Sequence, residues 1–318
     1  MDSPPFLISF PDKEAFKAAL SQEIVVAYWR DAERLIDRGL PPAVSVRVLA
    51  ALFGFSSKFI GALSRKPERH YRTFIIRKGK KKREIHAPKI GLKVIQKWLS
   101  WHLGAALKFD DSVYGFVSGR SAPMAAAVHC GATWVYSLDI ANFFPSTSQQ
   151  RVASSLEGIG YDVHAAGLIS ALCCYAGNLA QGSPASPVLS NLVFSQLDAV
   201  LKQIATDTGS RYTRYADDIV FSGNTTPPVG LEERVRAVII GAGWKVAEGK
   251  DRLAKLPHRL KVYGLLVHGV APRLTKGYRN RIRAISHLTE NNKVKDEDVA
   301  KFQGHLSYAE SVERIGKQ

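Results

Sequence analysis

Two adjacent carboxylates, Asp217 and Asp218, are the residues whose types and spacing most directly suggest chemistry. They separate two apolar, β-prone runs, residues 211–216 and 219–223, and this arrangement predicts a hairpin with both acids at its tip. Neighbouring anions repel each other, so a turn that presents them together requires a reason. Divalent metals take carboxylate oxygens, and two such ions about 3.5–4 Å apart can stabilise both oxygens of a phosphoryl displacement. The alternative is a solvated turn, because Asp is common in turns.

A third acid, Asp139, ends the run at residues 134–138, which has the pattern of a buried strand. An acid at this place is either the N-cap of a following helix or a metal ligand. If its strand lies beside the hairpin of Asp217 and Asp218, three carboxylates are available to bind two metal ions.

Charge is concentrated in two segments that bracket these acids. The chain of 318 residues carries a net charge of +16 and is 46% hydrophobic, which is ample for a real core and one to three subdomains. Residues 65–97 hold thirteen Lys and Arg against two acids, and residues 250–283 hold ten against one. Two basic blocks around a carboxylate cluster predict a polyanion, with nucleic acid as the leading candidate. Solvated surfaces are the alternative for either block alone.

The sequence also predicts some of the helices and strands that must position these groups. Residues 12–38 follow a helical period, and residues 44–60 read as helix, Gly, Ser cap and helix. The second pattern fits a packed helical pair or a DNA-reading helix-turn-helix. Residues 71–88 predict a hairpin whose turn is the basic run 78–83, and residues 89–107 predict a helix.

Further along, residues 113–121 are Gly-rich with an Arg but lack the Gly-Lys-Ser/Thr end of a P-loop. The loop at residues 181–187 leads into a helix that has Pro near its first turn. Residues 231–241 predict an amphipathic helix and residues 261–267 a strand, and the chain from Arg273 onward looks helical.

Cysteine usage and the first residues indicate the compartment. The three cysteines, Cys130, Cys173 and Cys174, have no disulfide framework or metal-ligand spacing, so we expect reduced thiols in a cytoplasmic protein. The N-terminus lacks the pattern of a signal peptide, and no apolar run approaches the ~20 residues of a membrane span.

Three motifs, in this order, resemble those of reverse transcriptases. They are Leu-Asp-Ile-Ala-Asn-Phe-Phe at residues 138–144, Gln-Gly-Ser-Pro-Ala-Ser-Pro at 181–187 and Tyr-Ala-Asp-Asp at 215–218. The short chain, Cys-Cys-Tyr at 173–175 and Tyr-Thr-Arg at 212–214 look most like the bacterial retron enzymes. The resemblance extends from about residue 71 to the C-terminus. Two positions depart from the retron pattern: Ala125 stands where Asn is usual, and Tyr263 where Thr is usual.

The resemblance implies an α+β, right-hand polymerase fold with an antiparallel palm sheet and helices, fingers and an α-helical thumb. It implies an N-terminal helical extension at residues 1–64, fingers and palm at residues 65–258, and a thumb at residues 259–318.

The resemblance also implies roles for individual residues. Asp139, Asp217 and Asp218 would be catalytic and bind two Mg²⁺, with the backbone carbonyl of Ile140 as a further ligand. The nucleotide-binding residues would be Lys78, Lys80, Arg83, Phe144, Gln181 and Lys250. Among them Phe144 would exclude a ribose 2′-OH, although core packing is the alternative for this Phe, and Lys250 would protonate pyrophosphate. Primer and template would contact Tyr215, Tyr263, Gly264, Arg273 and Lys276.

The expected function is that of a retron-type RNA-directed DNA polymerase. It would copy part of a cognate structured non-coding RNA into single-stranded DNA that stays linked to RNA, using dNTPs and priming from a 2′-OH. It would act in antiphage defence together with an effector protein. We expect no membrane among its partners. The alternatives are another bacterial defence, group II intron-like or diversity-generating reverse transcriptase, or a non-catalytic RNA-binding scaffold.

Overall fold

The structure is a computed structural model that describes residues 4–78, 81–291 and 293–316. The helices are α1 (Lys13–Ala18), α2 (Gln22–Asp37), α3 (Val46–Phe53), α4 (Ser57–Arg65), α5 (Ile90–Ala106), α6 (Ala122–Val128), α7 (Gln149–Gly158), α8 (Val163–Cys173), α9 (Ser186–Asp207), α10 (Leu231–Gly241), α11 (Lys276–Glu290) and α12 (Asp296–Ile315). The strands are β1 (Tyr71–Lys78), β2 (Lys81–Pro88), β3 (Trp134–Asp139), β4 (Cys174–Tyr175), β5 (Asn178–Leu179), β6 (Arg211–Tyr215), β7 (Asp218–Gly223), β8 (Arg252–Lys255), β9 (Lys261–Val262) and β10 (Leu265–Leu266). This mixture confirms the α+β class.

The chain divides into two compact units. The first unit comprises Met1–Phe109 and Asn142–Ser195, and the second comprises Asp110–Ala141 and Gln196–Gln318. Helix α9 therefore contributes residues to both units, and the three acids of interest all belong to the second unit.

Helices form the core of the first unit. Helix α5 buries Leu92, Ile95, Leu99 and Leu103, whose spacing places them on one face. The helical pair α3 and α4 has the predicted Gly and Ser cap between its helices, because Gly54 ends α3 with φ 65° and the hydroxyl of Ser56 accepts from the first turn of α4. The hydroxyl of Ser45 caps α3 in the same way. Buried faces of both helices account for their apolar periodicity, as expected for a packed pair.

The prediction of one helix over residues 12–38 was wrong. The chain forms α1 and α2 instead, because Ser21 adopts an extended conformation with ψ 152° as the N-cap of α2. Leu20, just before this break, is buried in the core. A helical period over a long window does not reveal such a break when apolar residues continue through it.

Strands β1 and β2 form the predicted hairpin of the first unit. The two strands pair from Tyr71 with Pro88 to Lys78 with Lys81, so the strands are longer than predicted. Most of the basic run therefore lies in strands, and Arg83 pairs with Ile76 rather than lying in the turn. Lys80 lies outside the described residues.

An antiparallel sheet in the order β6-β7-β3-β8 forms the centre of the second unit. Ile219, Val220 and Phe221 of β7 are at most 2% exposed, which explains the apolar run that follows the acids. On one side, Val135 and Val220 belong to a hydrophobic core that also contains Val312 of α12.

Residues 261–267 form a small hairpin rather than the single strand that the sequence predicts. Val262 pairs with Leu265, and the two turn residues Tyr263 and Gly264 have φ of 48° and 83°. Positive φ at both central residues is the geometry of a type I′ turn, the connection that suits tight hairpins. The apolar residues on both sides of the turn conceal it in the sequence.

The cysteines are all free, with Cys130 half-buried and Cys173 and Cys174 buried. Burial raises the pKa of the Cys174 thiol to about 12, so the protonated form dominates at neutral pH. Within the described ranges, no helix combines the length and apolar character that crossing a membrane requires.

Candidate active site

Asp217 and Asp218 lie at the tip of the β6–β7 hairpin, as predicted. Tyr215 pairs with Asp218 across the two strands, so Ala216 and Asp217 form a two-residue turn. Ala216 has φ 57°, and it occupies the first central position, where a type II′ turn favours glycine. An L-residue in this left-handed region costs roughly 1–2 kcal/mol, so contacts from elsewhere must hold the turn.

Asp139 joins this pair through the register of the sheet. Strand β3 runs antiparallel to β7 and pairs Asp139 with Asp218. The backbone N–H of Ile140 donates to the carbonyl of Asp217 at 3.0 Å. Asp139 does not cap a helix, because the next helix, α7, has Ser148 as its N-cap. The prediction that the strand of Asp139 lies beside the hairpin is confirmed.

The three carboxylates form a cluster that suits a hard divalent cation. One oxygen from each of Asp139, Asp217 and Asp218 lies within 4.8 Å of the others. Mg²⁺ binds oxygens at about 2.0–2.1 Å, so ligands of one ion are separated by up to about 4.2 Å. The oxygens are close to this spacing, and three anionic oxygen donors are the ligand type that such an ion prefers.

Electrostatic repulsion within the cluster is visible at Asp218. Loss of hydration, followed by the charges of Asp217 and then Asp139, raises the pKa of the Asp218 carboxyl to about 7. Asp218 keeps contact with solvent. The two neighbouring negative charges nevertheless raise its pKa, as desolvation does. A cation at the cluster would reverse this effect, because it favours the ionised form.

Lys250 supplies a cation beside the cluster. Its ammonium forms an ion pair with Oδ2 of Asp139, and its side chain is 44% exposed. The N–H of Ala247 donates to the carbonyl of Asp139 at 2.7 Å, which fixes the segment before Lys250 against the end of β3. The structure thus brings Lys250 to the three acids.

A buried ion pair supports the catalytic turn from behind. The Arg214 guanidinium donates from Nε and Nη2 to the two carboxylate oxygens of Asp198 at 2.7 and 2.6 Å. Its Nη1 donates to the carbonyl of Ala216 at 3.0 Å. Burial works to lower the pKa of Arg214, but the carboxylate of Asp198 raises it, so the guanidinium stays charged. Arg214 therefore ties helix α9 to the left-handed residue of the turn.

The segment around Gly115 closes on the same turn. The N–H of Tyr114 donates to the carbonyl of Arg214 at 2.8 Å. A Cβ on Gly115 would lie 2.2 Å from the backbone nitrogen of Ala216, closer than real Cβ atoms approach. The Gly-rich stretch thus allows backbone-to-backbone contact at the turn.

Tyr215 and Tyr263 lie together beside Asp218. Their ring centroids are 5.6 Å apart. Both residues line a cavity of about 360 Å³, to which Asp218, Lys261 and Gly264 also contribute. This cavity brings together three of the residues predicted to contact primer and template.

A buried chain of hydrogen bonds fixes the Tyr263 hydroxyl. Thr213 Oγ1 lies 2.8 Å from that hydroxyl and 2.7 Å from Nε2 of His129, whose Nδ1 lies 2.7 Å from Ser222 Oγ. Burial lowers the pKa of His129 to about 3, so the imidazole is neutral. The chain joins both strands of the catalytic hairpin to the turn that carries Tyr263.

Arg273 and Lys276 also belong to the second unit. Arg273 donates from Nη2 to Nε2 of His268 at 3.1 Å, and Lys276 begins helix α11 after its N-cap Thr275. Both side chains are exposed, as residues that contact a nucleic acid must be.

The remaining predicted residues belong to the first unit. Phe144 is half-buried against its core, and Arg83 is exposed on β2. The carbonyl of Gln181 accepts from the N–H of His86 at 2.8 Å, so the Gln181 loop lies along β2. Lys78 ends β1. Their roles with a nucleotide stay predictions.

A family model described as reverse transcriptase (RNA-dependent DNA polymerase) matches residues 75–254 of this chain. The match spans more than half of the chain and includes the three aspartates. The chain therefore belongs to the reverse transcriptase family, with its polymerase fold, and it is an RNA-directed DNA polymerase. Members of this family use divalent metal ions, which the aspartate cluster fits.

Among known relatives, the chain is similar to retron enzymes. It is 32% identical over 303 residues to the Retron Mx65 reverse transcriptase of Myxococcus xanthus, covering 87% of this chain and 69% of that protein. It is 27% identical over 285 residues to the Retron Ec86 reverse transcriptase of Escherichia coli, covering 88% of each chain. The Retron Mx162 reverse transcriptase of Myxococcus xanthus is 31% identical over 300 residues, and the match covers 82% of this chain and 62% of that protein. These similarities support the retron type.

Sequence reasoning did not find the role of the residues that hold the catalytic turn. Arg214 carried a signal, since an arginine inside an apolar strand run requires a buried partner. Asp198 carried none, because nothing in the sequence distinguishes it from Asp207, the other acid of the long helix α9. The need for glycine at position 115 depends on a contact with Ala216 that only the fold brings about.

Proposed function

We propose that this reverse transcriptase copies part of a cognate structured non-coding RNA into single-stranded DNA that stays linked to RNA. Synthesis would start from a 2′-OH of that RNA. The product, with an effector protein, would serve antiphage defence in the cytoplasm, where RNA and dNTPs are found. The observation that carries the proposal is the convergence of Asp139, Asp217 and Asp218 in a chain similar to retron enzymes over most of its length.

In this proposal the three aspartates hold two Mg²⁺, with the carbonyl of Ile140 as a further ligand. When bound, the ions stabilise charge on the attacking and leaving oxygens of nucleotidyl transfer. Asp218 must lose its proton to become a ligand, so its raised pKa makes loading of the site sensitive to pH. Lys250, placed beside Asp139, gives a proton to the departing pyrophosphate.

Residues outside the metal cluster bind the substrates. Lys78, Lys80 and Arg83 would grip the triphosphate of the incoming nucleotide, because cations on a hairpin suit phosphate oxygens. Phe144 would exclude a ribose 2′-OH by size, and Gln181 would contact the nucleotide near its sugar.

The primer and template would be held from the second unit. Tyr215, Tyr263 and Gly264 lie around the cavity that contains Asp218 and would contact the primer end. Arg273 and Lys276 would hold backbone phosphates. Fingers and palm would correspond to residues 65–258, the thumb to residues 259–318, and residues 1–64 to a helical extension.

The test is to purify the protein from its native host and digest the bound nucleic acid with RNase and with DNase separately. We expect a discrete DNA joined covalently to RNA, and its loss in the double variant Asp217→Asn with Asp218→Asn. Asp111→Asn is the matched control, because Asp111 is an exposed acid of the same unit whose side chain is 99% exposed. Heterogeneous or unbranched DNA would assign the enzyme to another class of reverse transcriptase. RNA alone, without primer extension in Mg²⁺, would favour a scaffold.

A further inference from the structure

An aromatic pocket in the second unit shares Tyr263 and Gly264 with the proposed primer site, but its walls on α11 and α12 have no role in the mechanism above. It measures about 620 Å³, within the usual range of ligand pockets. Three tyrosines line it, Tyr263 from the β9–β10 turn, Tyr278 from α11 and Tyr308 from α12. Each of the three residues is partly exposed.

The pocket also offers polar groups at the edges of these rings. The hydroxyl of Tyr278 lies 2.8 Å from Nδ1 of His305, and the Tyr278 ring meets those of His305 and Tyr308 edge-on at 5.8 and 5.7 Å. Lys301 lines the pocket and pairs with Asp298 at 2.9 Å. Aromatic faces with hydrogen-bonding edges match a nucleobase, which stacks through its π-face and is recognised along its polar edge.

A cationic pocket of about 350 Å³ adjoins the aromatic pocket, and Leu274 and Thr275 line both. Its cations are Arg259, Lys261, Arg273, Lys276 and Arg279, and its described lining residues include no carboxylate. In the part of the chain that the structure describes, none of these five cations forms an ion pair with an acid. Cations that converge without compensation favour an anionic ligand such as phosphate.

Both pockets share lining residues with the cavity that Asp218 lines. Tyr263 and Gly264 line that cavity and the aromatic pocket, while Lys261 lines that cavity and the cationic pocket. A ligand that fills the two pockets would therefore lie next to the catalytic aspartates.

We propose that the aromatic and cationic pockets together bind one unpaired nucleotide of the RNA, with its base among the tyrosines and its phosphates among the cations. The inference rests on the proposed function, because it takes RNA as the ligand. An acidic peptide would satisfy the cations but would leave the three stacking surfaces without a matching group.

Gly304 makes the aromatic pocket testable without removing any polar group. It lines the pocket from α12, and a Cβ there would have no heavy atom within 4 Å. Gly304→Leu would place a side chain in the pocket, whereas Gly304→Ala is a matched control that fills little space. Both changes also improve helix propensity, so neither should unfold the helix.

The probe is a hairpin RNA with one bulged adenosine, compared with the same hairpin carrying an abasic site at the bulge. Affinity is measured without divalent metal, so catalysis is not needed. We expect the wild type to bind the adenosine form about 5- to 100-fold more tightly, since base stacking on aromatic residues has effects of this size. Gly304→Leu should bind both RNAs as the wild type binds the abasic form, and Gly304→Ala should keep the difference.

A second measurement tests the cationic pocket. Arg279→Gln should reduce the slope of log affinity against log salt by about 1, as expected for a lost phosphate contact. Lys293→Gln, an exposed cation of the same unit outside this pocket, should leave the slope unchanged.

Several outcomes would overturn the proposal: equal wild-type affinity for both RNAs, a base preference that survives Gly304→Leu, or competition by free ATP at micromolar concentration. The last would assign the pockets to a free nucleotide. Failure of the proposed function is separable, because a wild type that prefers the bulged adenosine but makes no DNA would keep the nucleotide site and lose the polymerase assignment. Primer extension on a duplex without a bulge should be unaffected by Gly304→Leu.

Discussion

The close approach of Gly115 to the catalytic turn leads to a quantitative prediction for Gly115→Ala. The new Cβ would lie 2.2 Å from the nitrogen of Ala216, 2.9 Å from the carbonyl carbon of Tyr215 and 3.1 Å from the Cα of Ala216. All three are backbone atoms, so no side chain can rotate away. Contacts become ordinary only at 3.4 Å, so the two backbones must separate by about 1.2 Å.

That displacement falls on the turn that carries Asp217 and Asp218. A misplacement of about 1 Å at a reacting centre can reduce turnover by about 100-fold. Crowding of this kind in a packed site also costs typically about 1–3 kcal/mol of stability. We therefore expect kcat to fall by about two orders of magnitude while the protein still folds.

The assay is single-turnover primer extension at saturating primer–template, together with urea denaturation of the same samples. Gly241→Ala is the matched control, because a Cβ at the end of α10 meets no heavy atom within 4 Å. The control should keep full activity and gain up to about 1 kcal/mol of stability from helix propensity. Normal turnover in Gly115→Ala would refute the reasoning, and so would a loss of turnover matched by Gly241→Ala.

Four further predictions follow from the site and from the charges. Arg214→Ala should lower the free energy of unfolding by about 3–5 kcal/mol in urea denaturation, since the buried carboxylate of Asp198 keeps a hydrogen bond from the Tyr212 hydroxyl but loses its cation; a loss below about 1 kcal/mol would contradict this. Protonation of Asp218 below its pKa of about 7 competes with metal binding, so apparent metal affinity should fall by about tenfold per pH unit on acidification, and a flat profile would exclude that competition. RNA affinity should fall steeply with salt, with a log–log slope of about −3 or steeper if the two basic blocks neutralise phosphates. Phe144→Ala should increase ribonucleotide incorporation relative to deoxyribonucleotide in competition assays, and unchanged sugar selectivity would remove the proposed gate.

The carboxylate cluster could be predicted from sequence because two of its acids lie at the ends of apolar strands and the third is adjacent in sequence to one of them. Asp139 ends one apolar run, and Asp218 begins another. Antiparallel pairing places the end of one strand beside the start of the other, so the pairing of β3 with β7 brings Asp139 and Asp218 together. The positions of the acids at the strand ends therefore predict most of the geometry of the carboxylate cluster.

Other features depend on contacts between residues far apart in the chain. The type I′ turn at Tyr263 and Gly264 is flanked by apolar residues on both sides, so hydropathy alone predicts one uninterrupted strand there. The break at Ser21 is hidden in the same way, because apolar residues continue at a helical spacing. Periodicity reports which face is buried, and it does not report where the chain changes direction.

The catalytic turn combines several features that are unfavourable by themselves. Ala216 has a left-handed conformation, and three carboxylates repel one another around it. The bidentate pair of Arg214 with Asp198 compensates, because the guanidinium also donates from its third nitrogen, Nη1, to the Ala216 carbonyl. A lysine could not make these three contacts, since its ammonium lacks the planar fork of donors. Arg214→Lys should therefore lower turnover more than Lys202→Arg, whose partner Asp110 lies in an exposed pair. If Arg214→Lys proves as active as the wild type, the turn is held by the backbone contacts of Gly115 and Ile140 instead.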